Sequence, residues 1–160
     1  MSRWVIDTNV PVVANGVSTN ASASCRLAAS EALHNILGNR DLIFLDRAGE
    51  ILAEYRRYCS PRGEPGVGDR FLQQVLQYRP DKVTYLDLAK TGDDYDAFPA
   101  DPDLANFDRS DRKFAALAIV SAASVLNATD SDWLDSDVPL RRNGVTTVFV
   151  CGTQKDTWIE

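Results

Sequence analysis

The stretch WVIDTNVPVVANG, residues 4–16, is the most informative part of the sequence for the fold. Its first three residues are bulky and apolar, and the run stops at Asp7, which is followed by Thr8 and Asn9. A short apolar run of this kind predicts a buried strand over residues 3–6. An acid directly after such a strand either caps the turn that follows or belongs to a functional site.

Apolar runs of strand length alternate with amphipathic segments of helix length along the chain. Besides residues 3–6, the predicted strands are residues 41–46, 82–88, 124–128 and 146–150. The predicted helices are residues 21–37, 48–59 and 69–78, and an alanine-rich helix that begins at Ser110. This alternation indicates a parallel sheet covered by helices on both faces. We expect one α/β domain over residues 1–160, a three-layer α/β/α sandwich with a central, mainly parallel sheet.

Two segments between these elements lack apolar periodicity. Residues 91–108 are rich in acids and contain two prolines, so they are predicted to form a long surface loop. GEPGVGD, residues 63–69, lacks the glycine spacing of a phosphate-binding loop and the lysine of a Walker motif. We interpret this second segment as a turn that leads into a helix.

The composition restricts the class of protein. Hydrophobic residues make up 44% of the 160 residues, which excludes a disordered chain. The net charge of −6 does not suit a general nucleic-acid coating protein, so contact with nucleic acid must be local or depend on bound cations. No run approaches the roughly 18 consecutive apolar residues of a membrane span, and the first residues lack the order of a signal peptide. We expect a cytoplasmic protein with no membrane partner.

The cysteines and the single histidine do not suggest a site. Cys25, Cys59 and Cys151 are far apart and form no CxxC pair, so neither a zinc site nor a thioredoxin-like motif is indicated. We expect all three thiols to be reduced and structural. His34 is expected on the first long helix, away from the acids.

Acids follow two of the predicted strands. Asp7 follows the first strand, and Asp130 and Asp132 follow the strand at residues 124–128. Ligands of open α/β sheets bind beyond the carboxyl ends of the strands, so these acids share one edge if the strands are parallel. Each acid taken alone is also explained as a turn residue. A functional site is indicated because all three acids are expected at the same edge of the sheet.

Two predicted helices carry an acid on the face expected to pack inward. Glu54 falls on the apolar stripe of Ile51, Tyr55 and Tyr58, and Asp111 lies in the first turn of the alanine-rich helix. An exposed helix acid is the simpler alternative for both. A buried lone carboxylate is costly and needs a cation or a hydrogen-bond donor.

Carboxylates gathered at one place repel each other and raise each other's pKa values, and a divalent cation relieves this repulsion. A set of oxygen ligands without histidine or cysteine suits Mg²⁺ or Mn²⁺ rather than zinc. A carboxylate-held Mg²⁺ is in turn suited to phosphoryl chemistry.

Four segments together resemble the PIN-domain nucleases, a group that includes many bacterial toxin ribonucleases. In chain order they are VIDTN at residues 5–9, ILAEYRRY at 51–58, DRKFAALA at 111–118 and NATDSDW at 127–133. They follow the order of the family and span most of the chain. The last two, in their wider context, also resemble an uncharacterised bacterial PIN subgroup.

The resemblance implies a role for each acid. Asp7 matches the family's first acid, Glu54 the second and Asp111 the third, and Asn9 matches a polar residue that orders the site through hydrogen bonds. Asp130 matches the fourth acid. The matched metal ligands are Asp7, Glu54, Asp111, Asp130 and the additional acid Asp132. Asp108 has no secure counterpart, and the insert at residues 91–107 is longer and more acidic than in compact members.

The resemblance implies a nuclease that uses Mg²⁺ or Mn²⁺ to cleave phosphodiester bonds in single-stranded RNA. A small antitoxin protein and a second copy of the chain are candidate partners. Basic residues beside the acids are candidates for contact with phosphates. They are Arg56, Arg57, Arg112 and Lys113.

Two other functions compete with this interpretation. A non-catalytic interaction protein could keep the fold, although the acids at every matched position count against it. A phosphotransfer protein with Asp7 as nucleophile would resemble the haloacid-dehalogenase-like hydrolases. Those enzymes need an Asp-x-Asp sequence after the first strand, and here the third position is Asn9.

Overall fold

The computed structural model describes residues 1–16, 20–77 and 80–160, and within these ranges it contains seven strands. In chain order they are β1 (Arg3–Ile6), β2 (Leu42–Asp46), β3 (Val83–Leu86), β4 (Lys90–Thr91), β5 (Asp94–Tyr95), β6 (Ser124–Asn127) and β7 (Thr147–Phe149). Five of them form one parallel sheet in the order β3-β2-β1-β6-β7, and β4 and β5 form a separate antiparallel hairpin. The parallel sheet predicted from the sequence is thereby confirmed.

Helices flank the sheet. In chain order they are α1 (Asn9–Asn15), α2 (Ala23–Gly38), α3 (Glu50–Tyr58), α4 (Val67–Leu76), α5 (Arg112–Ser121), α6 (Ser131–Asp135) and α7 (Asp137–Arg142). The first, second and fourth pack against one another, whereas α5 crosses β1, β2, β3 and β6. The small side chains of α5, such as those of Ala115 and Ala118, are fully buried and let this helix lie close to the sheet.

The strand order reverses direction between β1 and β6. The chain proceeds outward from β1 through β2 to β3, and α5 then carries it back to the other side of β1. Because parallel crossovers are right-handed, this reversal places α5 on the face opposite to the helices that link β1 to β3, which is consistent with a three-layer arrangement. A crevice at the carboxyl ends of β1 and β6 is the expected ligand position in such a sheet.

The register brings the ends of β1 and β6 to the same level. Ile6 pairs with Leu126, and the backbone N–H of Asp7 donates to the carbonyl oxygen of Leu126 at 3.0 Å. Residues that directly follow the two strands therefore meet at one edge of the sheet.

Several elements differ from the predicted ones. The sequence analysis missed α1, α6 and α7, which are all short. The acidic segment predicted as a loop contains part of the β4–β5 hairpin and a 3₁₀ turn at Pro102–Leu104. The helix predicted at residues 69–78 corresponds to α4, which begins earlier, at Val67. Tyr78, the last residue of the predicted helix, lies outside the described residues.

The GEPGVGD segment is a turn that leads into α4, as predicted from its sequence. The glycine at position 68 serves close packing of helices, because a Cβ atom there would lie 2.0 Å from the carbonyl oxygen of Pro11 in α1. The two helices therefore contact each other through backbone atoms at this point.

The cysteines correct one expectation. Cys25 in α2 and Cys151 after β7 form a disulfide with a Cα–Cα distance of 5.0 Å, and only Cys59 is free among the described residues. The fold brings together two residues that are 126 positions apart, which cysteine spacing could not indicate. Because disulfides persist in oxidising surroundings, this pair gives no support to the predicted cytoplasmic location.

None of the helices formed by residues 1–16, 20–77 and 80–160 has the length and apolar character needed to cross a bilayer.

Candidate metal centre

Asp7 lies at the carboxyl end of β1 and is almost completely buried. Its Oδ2 atom accepts a hydrogen bond from the indole Nε1 of Trp133 at 2.7 Å and another from Nδ2 of Asn9 at 2.5 Å. Two donors from different elements therefore fix the orientation of this carboxylate.

Asn9 connects the two central strands. Its Nδ2 atom also donates to Oδ1 of Asn127 at 2.8 Å, and its Oδ1 atom accepts from the backbone N–H groups of Ala128 and Thr129. The side chain thus binds the turn after β6 to the end of β1. These contacts give Asn9 the geometry of a residue that orders the site.

Two further acids meet Asp7 at this edge. Asp111 ends a 3₁₀ turn at Arg109–Asp111 that leads into α5, and Asp130 directly precedes α6. One carboxylate oxygen from each of Asp7, Asp111 and Asp130 lies within 4.8 Å of the other two. We call these three residues the acid cluster.

The pKa values of two members of the acid cluster, Asp7 and Asp111, are raised. Burial, followed by the charge of Asp130, raises the pKa of Asp7 to about 8, while the hydrogen bond from Trp133 opposes this shift. Burial and the charges of Asp7 and Asp130 raise the pKa of Asp111 to about 10. Near neutral pH these carboxyls therefore retain protons unless a positive charge compensates them.

A second group of acids shares Asp111. Oxygen atoms of Asp108, Asp111 and Asp132 also lie within 4.8 Å of one another. Asp108 is exposed, and hydrogen bonds from the backbone and hydroxyl of Ser110 lower its pKa. Partial burial and the charge of Asp130 raise the pKa of Asp132.

Glu54 occupies a different environment from the acid cluster. The Nζ atom of Lys113 lies 2.9 Å from its Oε1, and the hydroxyl of Thr8 donates to its Oε2. The side chains of Lys113 and Glu54 are only 10% and 18% exposed. Both oxygens of the predicted second acid thus have protein partners, and Glu54 belongs to neither group of converging acids found among the described residues.

The predicted phosphate-binding residues differ in whether their side chains are accessible to a phosphate. Arg56 and Arg57 are exposed on α3. Arg112 donates to the carbonyl oxygens of Phe107 and Ala105, so it holds the insert in place. Lys113 is buried against Glu54 and is therefore not a surface contact for a phosphate in this structure.

The apolar stripe predicted on α3 requires a correction. Ile51 and Tyr55 are fully buried, but the side chain of Tyr58 is exposed, because α3 ends at this residue. Tyr55 also donates from its hydroxyl to the carbonyl oxygen of Ile6 at 2.5 Å, which ties α3 to the end of β1.

Sequence reasoning missed the aromatic connection between the insert and the site. Trp133 is fully buried, Phe107 packs edge-on against it at 5.1 Å between ring centroids, and Phe98 stacks on Phe107 at 5.9 Å. The only indication in the sequence was the tryptophan at the end of the quoted segment NATDSDW. The insert is thereby packed against the residue that orients Asp7.

Asp46 shows that an acid at a strand end need not bind a metal. It ends β2 and is buried, but its two oxygens accept from the backbone N–H groups of Glu50 and Ile51 at 2.8 and 2.9 Å. The amides at the start of α3 therefore satisfy this carboxylate. Asp130 resembles Asp46 in part, because its Oδ1 atom accepts from the backbone N–H of Asp132 at the start of α6 at 3.0 Å, but its carboxylate also converges with those of Asp7 and Asp111.

A cavity of about 460 Å³ lies between α2 and α4, and its lining includes none of the predicted site acids. His34 lines this cavity together with Leu37, Val67 and Arg70. The histidine thus lies on a long helix and outside the acid cluster, as predicted.

Comparisons of the chain with protein-family profiles, with curated proteins and with solved structures return no match. The resemblance to the PIN-domain nucleases therefore rests on the four sequence segments alone.

Proposed function

We propose that this chain is a PIN-like nuclease that uses Mg²⁺ or Mn²⁺ to cleave phosphodiester bonds in single-stranded RNA. The observation that carries the proposal is the acid cluster, in which three carboxylates converge where the strand order reverses. Ligands of open parallel sheets bind at this position.

The acid cluster fits a hard divalent cation. All three side chains offer oxygen atoms, which suit Mg²⁺ and Mn²⁺. The raised pKa values of Asp7 and Asp111 indicate that the folded chain brings these carboxylates together at an electrostatic cost. A bound cation would offset that cost, because it favours the ionised carboxylates.

The residues of the chain would have separate roles at such a metal centre. Asp7, Asp111 and Asp130 would hold the ion, with Asp132 as an additional acid and Glu54 kept nearby by Lys113. The chemistry that the ion supplies is activation of a water molecule and neutralisation of charge on the phosphate. Trp133 and Asn9 hold Asp7 in the orientation it needs, as second partners of metal ligands usually do.

Local positive charge favours an anionic substrate despite the net charge of −6. Arg112 directly follows Asp111 in the chain, and Arg109 lies two positions before it. An ion in the acid cluster would add to this positive field. The candidate partners named from the sequence, a small antitoxin protein and a second copy of the chain, stay predictions.

Cleavage of a labelled single-stranded RNA in Mn²⁺ tests the proposal. We expect wild-type protein to cut it, EDTA to stop the reaction, and Asp111→Asn to lose most of the activity while circular dichroism reports an unchanged fold. Asparagine has nearly the size of aspartate, so the variant removes charge without disturbing packing. Absence of cleavage by folded wild-type protein on varied RNA sequences would favour the alternative, a non-catalytic interaction protein.

A further inference from the structure

A second cavity, of about 290 Å³, lies at the insert. Its walls come from the β4–β5 hairpin, the segment that follows it and the 3₁₀ turn that carries Asp111. Its lining includes Asp94, Tyr95, Phe98, Arg109 and Arg112. We propose that this cavity, the insert pocket, binds one unpaired nucleotide of the RNA beside the scissile bond; the inference rests on the proposed function.

The position of the insert pocket suits a neighbouring nucleotide. Arg109 directly follows Asp108 and stands on the same 3₁₀ turn as Asp111, and Arg112 directly follows that turn. Two residues that line the pocket and one member of the acid cluster, Asp111, therefore lie within four positions of chain. A strand whose phosphate lies at the cluster would pass the mouth of the pocket.

The walls of the pocket are held in place by contacts on both sides. The hydroxyl of Tyr95 donates to Oε2 of Glu50 at 2.5 Å, which ties the hairpin to the start of α3. Phe98 stacks on Phe107, and the guanidinium carbon of Arg112 lies 4.7 Å from the centre of the Phe98 ring. A preformed site of this kind avoids the cost of ordering side chains when a ligand binds.

The pocket combines the two properties that unpaired nucleotides require. Tyr95 offers aromatic surface, and the Arg112 guanidinium, which the Phe98 ring supports from one side, offers a flat cationic surface; both kinds of surface stack with bases. Arg109 supplies a charge for the phosphate. A base inside a duplex is covered by its neighbours and cannot enter, so the pocket selects single strands.

Arg109 is the residue that is free to change partner. Its side chain is 72% exposed, and its contact with Asp94 is 3.6 Å long between two exposed side chains. Such a surface pair contributes little in water, so a phosphate can replace the aspartate. Arg112 instead donates hydrogen bonds to the carbonyl oxygens of Phe107 and Ala105, so it is a fixed part of the wall of the insert pocket.

Arg109→Ala in the full-length protein is the first test, with Arg40→Ala as its matched control. Arg40 is exposed and precedes β2, at the opposite edge of the sheet, so the control removes the same charge elsewhere. We expect Arg109→Ala to raise KM for a single-stranded RNA about tenfold with kcat nearly unchanged, and to reduce the salt slope of binding by about 0.7. Arg40→Ala should stay within about twofold of wild type.

A series of RNA substrates, each with a single abasic position, tests whether a base occupies the pocket. In wild type, one abasic position beside the cleavage site should raise KM by about tenfold. Phe98→Leu keeps an apolar side chain but removes the aromatic face, so that increment should disappear in this variant. The Mn²⁺ affinity should stay at the wild-type value in Arg109→Ala, because Arg109 does not belong to the acid cluster.

The outcomes separate the two proposals. If wild type cuts RNA but Arg109→Ala and Phe98→Leu retain the wild-type KM and abasic profile, the insert pocket is not a nucleotide site and the nuclease proposal stands. If folded wild-type protein with Mn²⁺ neither binds nor cuts single-stranded RNA, the nuclease proposal fails, and the nucleotide site fails with it.

Discussion

The indole nitrogen of Trp133 donates a 2.7 Å hydrogen bond to the Asp7 carboxylate. This bond connects α6 to the end of β1, and it is the only side-chain hydrogen bond formed by Trp133 among the described residues. Because the same indole packs against Phe107, the position of the insert and the orientation of Asp7 depend on one residue.

Trp133→Phe should therefore weaken metal binding. Phenylalanine keeps an aromatic ring in the core but cannot donate, and loss of such a second partner usually costs about 10- to 100-fold in metal affinity. The pKa of Asp7, which burial raises and Trp133 lowers, should rise further, so that Mn²⁺ binding requires a higher pH. Mn²⁺ titrations at pH 6, 7 and 8 measure both effects.

Trp4→Phe is the matched control for that experiment. The indole nitrogen of Trp4 donates to Asp41 at 3.0 Å, before β2 and away from the acid cluster. This variant loses an equivalent bond and should keep the wild-type Mn²⁺ affinity. Equal affinities in Trp133→Phe and wild type would show that the indole does not prepare Asp7 for the ion.

Mn²⁺ should stabilise the folded protein. A ligand that binds only the native state raises the free energy of unfolding by about 2.7 kcal/mol at 100 times its Kd. For a chain of this size, that corresponds to a rise of about 5–10 °C in Tm. Asp7→Asn should lose most of the rise, whereas Asp87→Asn, which changes an exposed partner of Arg47, should keep it. A thermal melt with and without millimolar Mn²⁺ gives the comparison.

The metal-free protein should lose stability as the pH rises from 5 to 8. The pKa values of about 8 for Asp7 and about 10 for Asp111 lie above the ordinary value of about 3.9, so the folded state holds more protons than the unfolded state in this range. The carboxyls of the unfolded state are already ionised in this range, so each rise in pH makes the protons held by the folded state more costly and lowers the free energy of unfolding.

The Tm of protein kept in EDTA should thus fall by several degrees between pH 5 and pH 8, and Mn²⁺ should reverse the trend because it binds the ionised carboxylates. Asp111→Asn imitates the protonated residue and should flatten the profile. A metal-free wild-type Tm that rises over this range would contradict the proton binding assigned to the acid cluster.

The strands and the shared edge of the sheet were predictable because they depend on local patterns. Apolar runs fixed the strands, and parallel pairing alone brings Asp7 and Asp130 to one edge. The Lys113–Glu54 pair was not predictable, since the two residues are 59 positions apart and both carry charges typical of a helix surface.

The insert illustrates a second limit. Its acids and prolines indicate a loop when they are taken alone. In the fold, Arg142 of α7 binds Asp101 at 2.6 Å and Asp103 at 2.9 Å, and the hydroxyl of Tyr95 donates to Glu50 at 2.5 Å. These partners come from distant parts of the chain, so composition could not reveal that the segment is anchored.

The disulfide predicts a simple thiol count. Protein denatured without reductant should show one reactive thiol, that of Cys59, and protein denatured after reduction should show three. In the native protein the count should be close to zero, because Cys59 is buried and burial raises its pKa to about 11. Reduction should also lower the free energy of unfolding by about 2–4 kcal/mol. Three reactive thiols in unreduced, denatured protein would exclude the bond.

The pair formed by Lys113 and Glu54 leads to the last prediction. Removing one partner of a largely buried ion pair leaves the other charge without compensation, which costs about 3–5 kcal/mol when both are fully buried. The side chains of Lys113 and Glu54 are still 10% and 18% exposed, so the penalty should be smaller here. We expect Lys113→Met to lower the free energy of unfolding by about 2–3 kcal/mol when it is measured in EDTA. Glu54→Gln combined with Lys113→Met removes both charges and should recover most of that loss.

Mn²⁺ distinguishes a structural pair from a residue that competes with the metal. In Lys113→Met, Glu54 has lost its ion-pair partner, so its carboxylate should bind the metal ion. This variant should therefore show a larger Mn²⁺-induced rise in Tm than wild type. The double variant has no free carboxylate at this position and should show only the wild-type rise, which the acid cluster supplies. If the single and double variants respond equally to Mn²⁺, Glu54 does not reach the metal even when it is released, and its matched role as second metal ligand must be given up.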